Sequence, residues 1–460
     1  MQNFTNLERI EAFKRGSNER KKDYKEIYNI FRNSEATSQS DRCVQCGDPY
    51  CHNKCPLHNY IPQWLRSVAK KDLEFSFKLS NDTNPFPEIT GRICPQDRLC
   101  EGDCTLEQDG YGAITIGSIE TYISESGFKK GFKPEFADKM SDKKVAIVGS
   151  GPAGFSCATY LMRAGINVEI FEKANRAGGL LTYGIPSFKL EKEVVFRRFD
   201  WLTEAGMKLH LNTEVGKDID LKELIENFDA VFIGIGAEKS KKANISGEKG
   251  KNVFLAIEFL KHIQQKIFKE SYDKNYEVSG KNVVVIGGGD TAMDCIRVSL
   301  REGAKSVKCL YRRDMINMPG SKKEFKNAKE EGCEFVYNVS PKEVLLNSND
   351  EVIGIQMHKT SLSKRDDLGR QSVEIIANSE YREDADIIIF ALGFDQVNPN
   401  FLSENGIETN KWGEILANEN QECSKQFIFT GGDCFRGSDL VVTAAEDGKI
   451  AAKEISRKLL

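Results

Sequence analysis

Residues 145–154 read Val-Ala-Ile-Val-Gly-Ser-Gly-Pro-Ala-Gly, and this stretch decides the fold. The apolar start predicts a short buried strand, and the glycines predict a tight turn into a helix that ends near Arg163. Val168-Glu-Ile-Phe171 predicts the next strand, which ends at Glu172. Such a βαβ unit binds a dinucleotide, because the turn lets the backbone approach the pyrophosphate and the helix N-terminus stabilises its charge. The candidate contacts are Gly149, Gly151, Pro152, Ala153, Gly154 and Glu172.

A second unit of the same kind begins at Asn282. Val283-Val-Val-Ile286 predicts its strand, a helix to Arg301 follows, and Ser306 to Tyr311 predicts the next strand. Alanine in the last position of the turn is an accepted variant. This second unit ends on two arginines where the first ends on an acid. The candidate contacts are Gly287, Gly289, Asp290, Thr291, Ala292, Arg312 and Arg313.

The opposite charges at the two strand ends predict different ligands. An acid such as Glu172 accepts hydrogen bonds from a ribose, whereas arginines bind a 2′-phosphate through paired hydrogen bonds. The first site is therefore predicted to hold FAD or NAD, and the second NADP. The alternatives are a solvated acid at one strand end and an exposed basic pair at the other. Two such sites in one chain favour a bound flavin and an exchangeable nicotinamide.

The end of the chain supports a flavin. Gln426 to Asp433 predicts a strand that runs into a Gly-Gly-Asp turn, and Leu440 to Leu459 predicts a helix despite Gly448. A helix N-terminus aimed at an isoalloxazine would stabilise negative charge on the reduced ring. Gly432 and Asp433 are therefore candidate cofactor contacts, with Asp433 on the ribityl chain. The alternative for Asp433 is a turn acid or a helix cap.

Seven of the 13 cysteines lie between residues 43 and 104. They form a Cys43-x2-Cys46-x4-Cys51-x3-Cys55-Pro run and a Cys94-Pro-x4-Cys100-x3-Cys104 run. Short spacings of this kind let thiolates surround an iron–sulfur core. Two structural zinc sites are the alternative, although zinc more often uses two C-x2-C pairs. Two four-iron clusters need eight ligands, so seven cysteines leave one ligand to be found elsewhere.

These anchors predict an α/β protein with two Rossmann-like dinucleotide-binding domains, preceded by a helical iron–sulfur domain. The NADPH domain is inserted in the FAD domain. The predicted boundaries are 1–140 for the iron–sulfur domain, 141–250 and 386–460 for the two parts of the FAD domain, and 251–385 for the NADPH domain. Within the last of these, Glu351 to Lys359 and Ser372 to Ala377, joined across 366–369, predict an antiparallel meander.

Composition limits the class of protein. A chain of 460 residues is long enough for two to four domains, and a net charge of −4 argues against bulk binding of nucleic acid. We find no apolar run that would cross a membrane and no targeting signal at the start, so we expect a cytoplasmic protein. Thiols stay reduced there, which favours metal or redox work for clustered cysteines.

Long stretches of this chain resemble a known family over nearly its whole length, the small (beta) subunit of bacterial NADPH-dependent glutamate synthase. Some of these stretches are shared with dihydropyrimidine dehydrogenase and the NADPH:ferredoxin oxidoreductases. The stretches that carry the resemblance are residues 46–51, 55–62, 91–104, 178–186, 188–194, 317–321 and 436–443.

The resemblance implies two [4Fe-4S] clusters with interleaved ligands. Cys43, Cys46, Cys51 and Cys104 would hold one, and Cys55, Cys94, Cys100 and Glu120 the other. A glutamine fills the last position in the related dehydrogenase, so carboxylate ligation is a hypothesis, and a solvated helix acid is its alternative. Gly179 and Leu180, in one of the shared stretches, are implied cofactor contacts.

The implied activity is that of an NADPH-dependent oxidoreductase, in which hydride passes from NADPH to FAD and electrons then leave through the clusters. They would reach a large (alpha) subunit that makes L-glutamate from L-glutamine and 2-oxoglutarate. Ferredoxin is the alternative partner. A rival of another class is a non-catalytic, NADPH-sensing scaffold that holds zinc.

Overall fold

The computed structural model describes residues 1–364 and 371–460. Every regular element that it gives before residue 141 is helical. These helices are α1 Ser17–Arg20, α2 Asn33–Asp41, α3 Tyr50–Lys54, α4 Ile61–Ala69, α5 Leu73–Thr83, α6 Pro87–Ile93, α7 Thr105–Gln108 and α8 Ile116–Lys129. Trp64, Ile89 and Ile119 are fully buried among them. A tilted pair of rings, Phe86 and Phe155 with centroids 5.1 Å apart, continues this core into the next part of the chain.

Strands and helices alternate after residue 143. The strands are β1 Lys144–Val148, β2 Asn167–Phe171, β3 Lys208–His210, β4 Ala230–Ile233, β5 Lys239–Ser240, β6 Val253–Leu255, β7 Asn282–Ile286, β8 Ser306–Tyr311, β9 Glu334–Tyr337, β10 Val339–Leu346, β11 Val352–Leu362, β12 Val373–Ile375, β13 Tyr381–Glu383, β14 Ile387–Phe390, β15 Phe394–Asp395 and β16 Ile428–Thr430. The helices are α9 Pro152–Arg163, α10 Leu180–Tyr183, α11 Lys192–Glu204, α12 Leu221–Asn227, α13 Ala256–Ile267, α14 Asp290–Arg301, α15 Lys322–Glu331, α16 Asn400–Glu404, α17 Asp433–Arg436 and α18 Val441–Leu459.

Two parallel sheets organise this part of the molecule. The first has the strand order β16-β4-β1-β2-β3, and the second β6-β14-β7-β8-β9. The chain leaves the first sheet after β4 and returns to it only at β16, so the second sheet is inserted in the first unit. The segment that leaves the first unit and the segment that returns to it run side by side, since β5 pairs with β15. The predicted fold class is confirmed, with the helical module in front of both sheets.

One predicted boundary is wrong. Residues 386–393 were assigned to the returning FAD part, but β14 pairs with β6 and β7 in the second sheet. Its Ile-Ile-Ile-Phe run is buried on both faces, which the centre of either parallel sheet would demand. Apolar content alone therefore does not say which sheet the strand joins.

The predicted meander is present in the antiparallel pairing of β11 with β12. The turn predicted within 366–369 lies outside the described residues. In the described part of the chain, no helix combines the length and apolar character needed to cross a membrane.

Candidate functional site: a cleft with two cysteine cavities

A deep cleft opens at the carboxyl ends of β1 and β4, where the strand order of the first sheet reverses. This is the usual ligand position in an open parallel sheet. The cleft has a volume of about 380 Å³ and extends to the second sheet. Its walls include most of the residues predicted for the first dinucleotide: Gly149, Gly151, Pro152, Ala153, Glu172, Gly179, Leu180, Gly432 and Asp433.

Gly154 lies behind the turn rather than on the cleft. A Cβ at this position would overlap the carbonyl oxygen of Gly149 and come within 3.0 Å of Ile147. Gly149 itself has φ +94°, a conformation that favours glycine. These two residues therefore let α9 begin directly against β1, with its N-terminus at the cleft.

Glu172 is held firmly at the end of β2. It is 5% exposed, and one carboxylate oxygen accepts from Ser150 N at 3.0 Å and from Ser150 Oγ at 2.5 Å. The other oxygen accepts from Ala174 N at 2.8 Å. The alternative, a solvated acid, is wrong. The carboxylate is fixed by the same turn that forms the floor of the cleft.

The C-terminal segment forms the opposite wall. Leu440, Val441 and Val442 line the cleft, so the N-terminus of α18 faces it. Gly448 allows this placement, because a Cβ there would overlap the carbonyl oxygen of Ala153 in α9. Glycine in the middle of a helix thus marks the close approach of two helices.

Asp433 begins α17 and accepts from Asp439 N at 3.3 Å. Burial raises the pKa of its carboxyl to about 7, and that hydrogen bond opposes the shift. The described side chains give it no hydrogen-bond donor within the cleft. Asp433 therefore lies at a turn into a helix, as its alternative interpretation states, and it also lies on the cleft wall.

Only some of the residues predicted for the second dinucleotide line the cleft. Asp290 and Thr291 line the cleft, whereas Gly287, Gly289 and Ala292 do not. Asp290 accepts from Ser321 N at 2.8 Å and pairs with Arg98 of the helical module at 3.1 Å.

The two arginines follow β8 as predicted and lie outside the cleft lining. Arg312 is exposed. Arg313 is half-buried, its Nη2 donates to Gln371 O at 3.4 Å, and its buried Nε has no partner among the described residues. The guanidinium of Arg313 therefore retains an unused donor.

Sequence reasoning missed a buried ion pair where the two units meet. Lys189 donates to Asp294 at 2.9 Å, and Glu324 lies 3.7 Å from the same Nζ; all three line the cleft. Burial opposes the charge of Lys189, but the two carboxylates outweigh it and raise its pKa. Burial raises the pKa of Asp294 to about 6. The available signal was Asp294 four residues after Asp290, on the same helix face.

The predicted cysteine ligands gather around two small cavities. The outer cysteine cavity is lined by Cys43, Cys46, Cys51 and Cys104. The inner cysteine cavity is lined by Cys55, Cys94, Cys100 and Glu120. Ile116 lines both. The structure thus brings together the same two groups that the resemblance implies.

The inner cysteine cavity adjoins the cleft. Cys94 and Val442 line both spaces, and Pro95 also lines the cleft. A group held by Cys94 would therefore lie beside the N-terminus of α18.

Glu120 is buried in α8 at 6% exposure, so the solvated helix acid is wrong. Its oxygens accept from Asn59 Nδ2 at 3.2 Å, Asn84 Nδ2 at 3.1 Å and Thr90 Oγ1 at 3.2 Å. Burial nevertheless raises its pKa to about 8, although Asn84 and Thr90 oppose the shift. Among the described residues no cation is bonded to this buried carboxyl, and a metal ion is a group that would stabilise its charge.

The donor set fits iron–sulfur clusters. Burial raises the pKa of Cys55 to about 11 and those of Cys94 and Cys100 well above their usual value, so these thiolates need a metal to exist at neutral pH. Within residues 1–364 and 371–460, no three His, Cys, Asp or Glu side chains converge on one point as a single ion requires. The ligand groups instead surround cavities, a spacing that a polynuclear core spans.

Family models match both parts of the chain. Residues 20–132 match the dihydropyrimidine dehydrogenase domain II, 4Fe-4S cluster family, and residues 143–448 match the pyridine nucleotide-disulphide oxidoreductase family.

Relatives match over most of the length. The glutamate synthase [NADPH] small chain of Escherichia coli (strain K12) is 46% identical over 460 residues, covering 98% of this chain and 97% of that protein. The putative oxidoreductase AegA of the same organism is 45% identical over 95% of this chain and 67% of its own length. Among solved structures, Mycobacterium tuberculosis FprA in complex with NADPH has a TM-score of 0.59 at 19% identity, covering 69% of this chain and 85% of that chain. The similarity to FprA is a similarity of fold alone.

Proposed function

Because this chain belongs to the family of glutamate synthase NADPH small chains, we propose that it is the electron-input subunit of a glutamate synthase. The chain is an NADPH-dependent oxidoreductase with a 4Fe-4S domain. The observation that carries the proposal is the wall shared by the dinucleotide cleft and the inner cysteine cavity, formed by Cys94 and Val442. This wall lies between the site proposed for hydride transfer and the site proposed for one-electron transfer, within one polypeptide.

FAD in the first unit supplies hydride acceptance from NADPH and release of single electrons. The chain positions it in three ways. The turn at Gly149 and Gly151 would lie against the pyrophosphate at the start of α9. Glu172 would accept from the ribose. The N-terminus of α18 would stabilise negative charge at the ring end, where Asp433 would contact the ribityl chain.

NADPH in the second unit is bound by the turn at Gly287 and Gly289, with Asp290, Thr291 and Ala292 at the start of α14. Arg312 and Arg313 bind its 2′-phosphate; the exposure of Arg312 and the position of both residues directly after β8 support this assignment. The buried pair of Lys189 and Asp294 fixes the second unit against the first at the cleft.

Each cysteine cavity holds one [4Fe-4S] cluster in this proposal. Cys43, Cys46, Cys51 and Cys104 are the ligands in the outer cavity. Cys55, Cys94, Cys100 and Glu120 are those in the inner cavity. Since the inner cavity shares its wall with the cleft, a cluster held there would be placed to receive electrons from the flavin, and one in the outer cavity would pass them on.

The proposed acceptor is a large subunit that makes L-glutamate from L-glutamine and 2-oxoglutarate. A cytoplasmic location is part of this proposal, since thiols stay reduced there and remain available as cluster ligands. The second candidate is electron exchange with ferredoxin. A 45% identical stretch also occurs in a longer protein named only as a putative oxidoreductase, so chains of this kind are not confined to glutamate synthase small chains.

The test uses anaerobically purified chain assayed for iron, sulfide and flavin, then mixed with NADPH and either a glutamate synthase large subunit or ferredoxin. We expect glutamate formation that requires both chains, with slow reduction of ferredoxin. Fast exchange with ferredoxin and no glutamate would contradict the proposed partner. Zinc without iron, sulfide or flavin would contradict the oxidoreductase itself.

A further inference from the structure

Arg42 is an unusual buried charge. Its side chain is fully buried, and its donors are used by four backbone carbonyls: Leu7 O at 2.9 Å, Tyr111 O at 2.7 Å, and Gly112 O and Ala113 O at 2.9 Å each. Other buried arginines, such as Arg198 with Glu88, bind a carboxylate. Within the described residues, Arg42 forms no ion pair. Its positive charge is therefore solvated by peptide dipoles but not neutralised.

This charge lies beside the outer cysteine cavity. Arg42 immediately precedes Cys43, and its acceptor Ala113 precedes Ile114, which lines the cavity. Burial and the nearby Arg9 lower the pKa of the Arg42 guanidinium, and a negative charge on Cys104 opposes that shift. Arg42 is thus joined in the chain to one cysteine of that cavity and is within electrostatic reach of a second.

Two side chains add hydrogen bonds to sulfur in the same cavity. Gln45 Nε2 donates to Cys43 Sγ at 3.2 Å. Thr105 Oγ1 lies 3.3 Å from Cys46 Sγ and is the donor when that sulfur is a thiolate. Hydrogen bonds to ligand sulfur and positive charge act in the same direction, since both stabilise the more negative, reduced state of a cluster.

The inner cysteine cavity differs in its charged surroundings. Glu101 follows Cys100, and Lys449 donates to Leu57 O at 3.0 Å and is paired with Glu446 at 3.2 Å. Glu101 is itself paired with Arg9 at 2.7 Å. Unlike Arg42, both of these cations thus have a carboxylate partner.

We propose that Arg42, helped by Gln45 and Thr105, gives the outer cluster a higher midpoint potential than the inner one. In the transfer step the inner cluster loses one electron and the outer cluster gains it, with no bond made or broken and no proton moved. The charge of Arg42 makes this step downhill, away from the cleft. The inference rests on the proposed assignment of one cluster to each cavity.

A potentiometric EPR titration of the anaerobic, NADPH-free holoprotein tests the order of potentials in the wild-type chain. Glu120→Cys assigns the signals, because only the inner cluster changes its ligand. The outer signal, which is unchanged in Glu120→Cys, is expected to appear at the higher potential. If the outer signal has the lower midpoint, the inference is wrong.

The role of the charge is tested with two variants that both remove the guanidinium fork. Arg42→Met removes the charge and the fork of donors, whereas Arg42→Lys removes the fork and keeps the charge. We expect Arg42→Met to lower the outer midpoint alone and Arg42→Lys to restore most of it. Equal shifts in both variants, or none, would contradict the electrostatic role. Anaerobically purified protein that contains no iron and sulfide would instead contradict the proposed function. The two failures are therefore distinguishable.

Discussion

The two dinucleotide units have the same βαβ backbone but differ in how far their binding groups are fixed in advance. In the first unit, Glu172 is buried and accepts three hydrogen bonds from the turn and the loop beyond it. In the second, Arg312 is exposed and Arg313 Nε has no partner among the described residues. Groups that are already ordered bind with a smaller entropic cost, so we expect the first site to retain its ligand. The looser site suits a ligand that must leave after each turnover.

The third position of the turn separates the units most sharply. Gly154 packs its Cα against the Gly149 carbonyl, whereas Ala292 already carries a Cβ in the second unit. Gly154→Ala should force α9 from β1, which costs about 1–3 kcal/mol of folding free energy and removes most of the flavin. Thermal unfolding and flavin content after purification measure this. Ala292→Gly is the matched control and should cost about 1 kcal/mol with flavin retained. Loss of flavin from Ala292→Gly but not from Gly154→Ala would contradict this difference between the units.

The arginines should decide between the two nicotinamide nucleotides. Charge-assisted hydrogen bonds contribute about 1.5–3 kcal/mol each, so the double variant Arg312→Ala/Arg313→Ala should lower kcat/KM for NADPH by more than roughly 100-fold. The value for NADH should stay within about twofold. Lys305→Ala, an exposed cation at the start of the same strand region, is the control. Equal losses for NADPH and NADH would refute the 2′-phosphate assignment.

Glu172→Gln keeps the shape of the side chain and removes its charge. The backbone and hydroxyl donors of Ser150 then face an amide, and the affinity for FAD should fall about 10- to 100-fold. Flavin retention during gel filtration and titration of the apoprotein with FAD measure the change. Glu169 lies on the same strand and pairs with Lys208 and His210 at 2.8 Å on the far side, so Glu169→Gln should retain flavin. A normal flavin content in Glu172→Gln would show that the carboxylate is only structural.

The smallest expected effect concerns Asp433, the carboxyl proposed to contact the ribityl chain of the flavin. The pKa of Asp433 in the folded chain is about 7, above the ordinary value, mainly because of burial. The flavin-free chain therefore loses stability as pH rises from about 4 to 7, since the folded state holds a proton that the unfolded state releases. Asp433→Asn should flatten this part of the profile, and the exposed Asp200→Asn should not. Thermal unfolding of flavin-free protein between pH 5 and 8 measures the difference. An identical slope in Asp433→Asn would contradict the assignment.

Sequence patterns predicted the local elements well, because each βαβ unit is determined by neighbouring residues. The strand at Ser306–Tyr311 and the helix that begins at Val441 follow directly from apolar runs and turns. The strand at Ile387–Phe390 was assigned to the wrong unit, since a run buried on both faces does not specify its neighbours. The pair of Lys189 and Asp294 could not be foreseen, because it joins residues 105 positions apart. Contacts between units depend on how the sheets meet, which periodicity does not encode.

The central claim is that electrons pass from the cleft into the cysteine cavities within one chain. Anaerobic mixing of the holoprotein with NADPH, followed by rapid-freeze EPR and flavin absorbance, tests it most directly. We expect flavin bleaching first and then a cluster signal whose rate does not change with protein concentration. A cluster signal that forms in proportion to protein concentration, or only with an added mediator, would contradict the account.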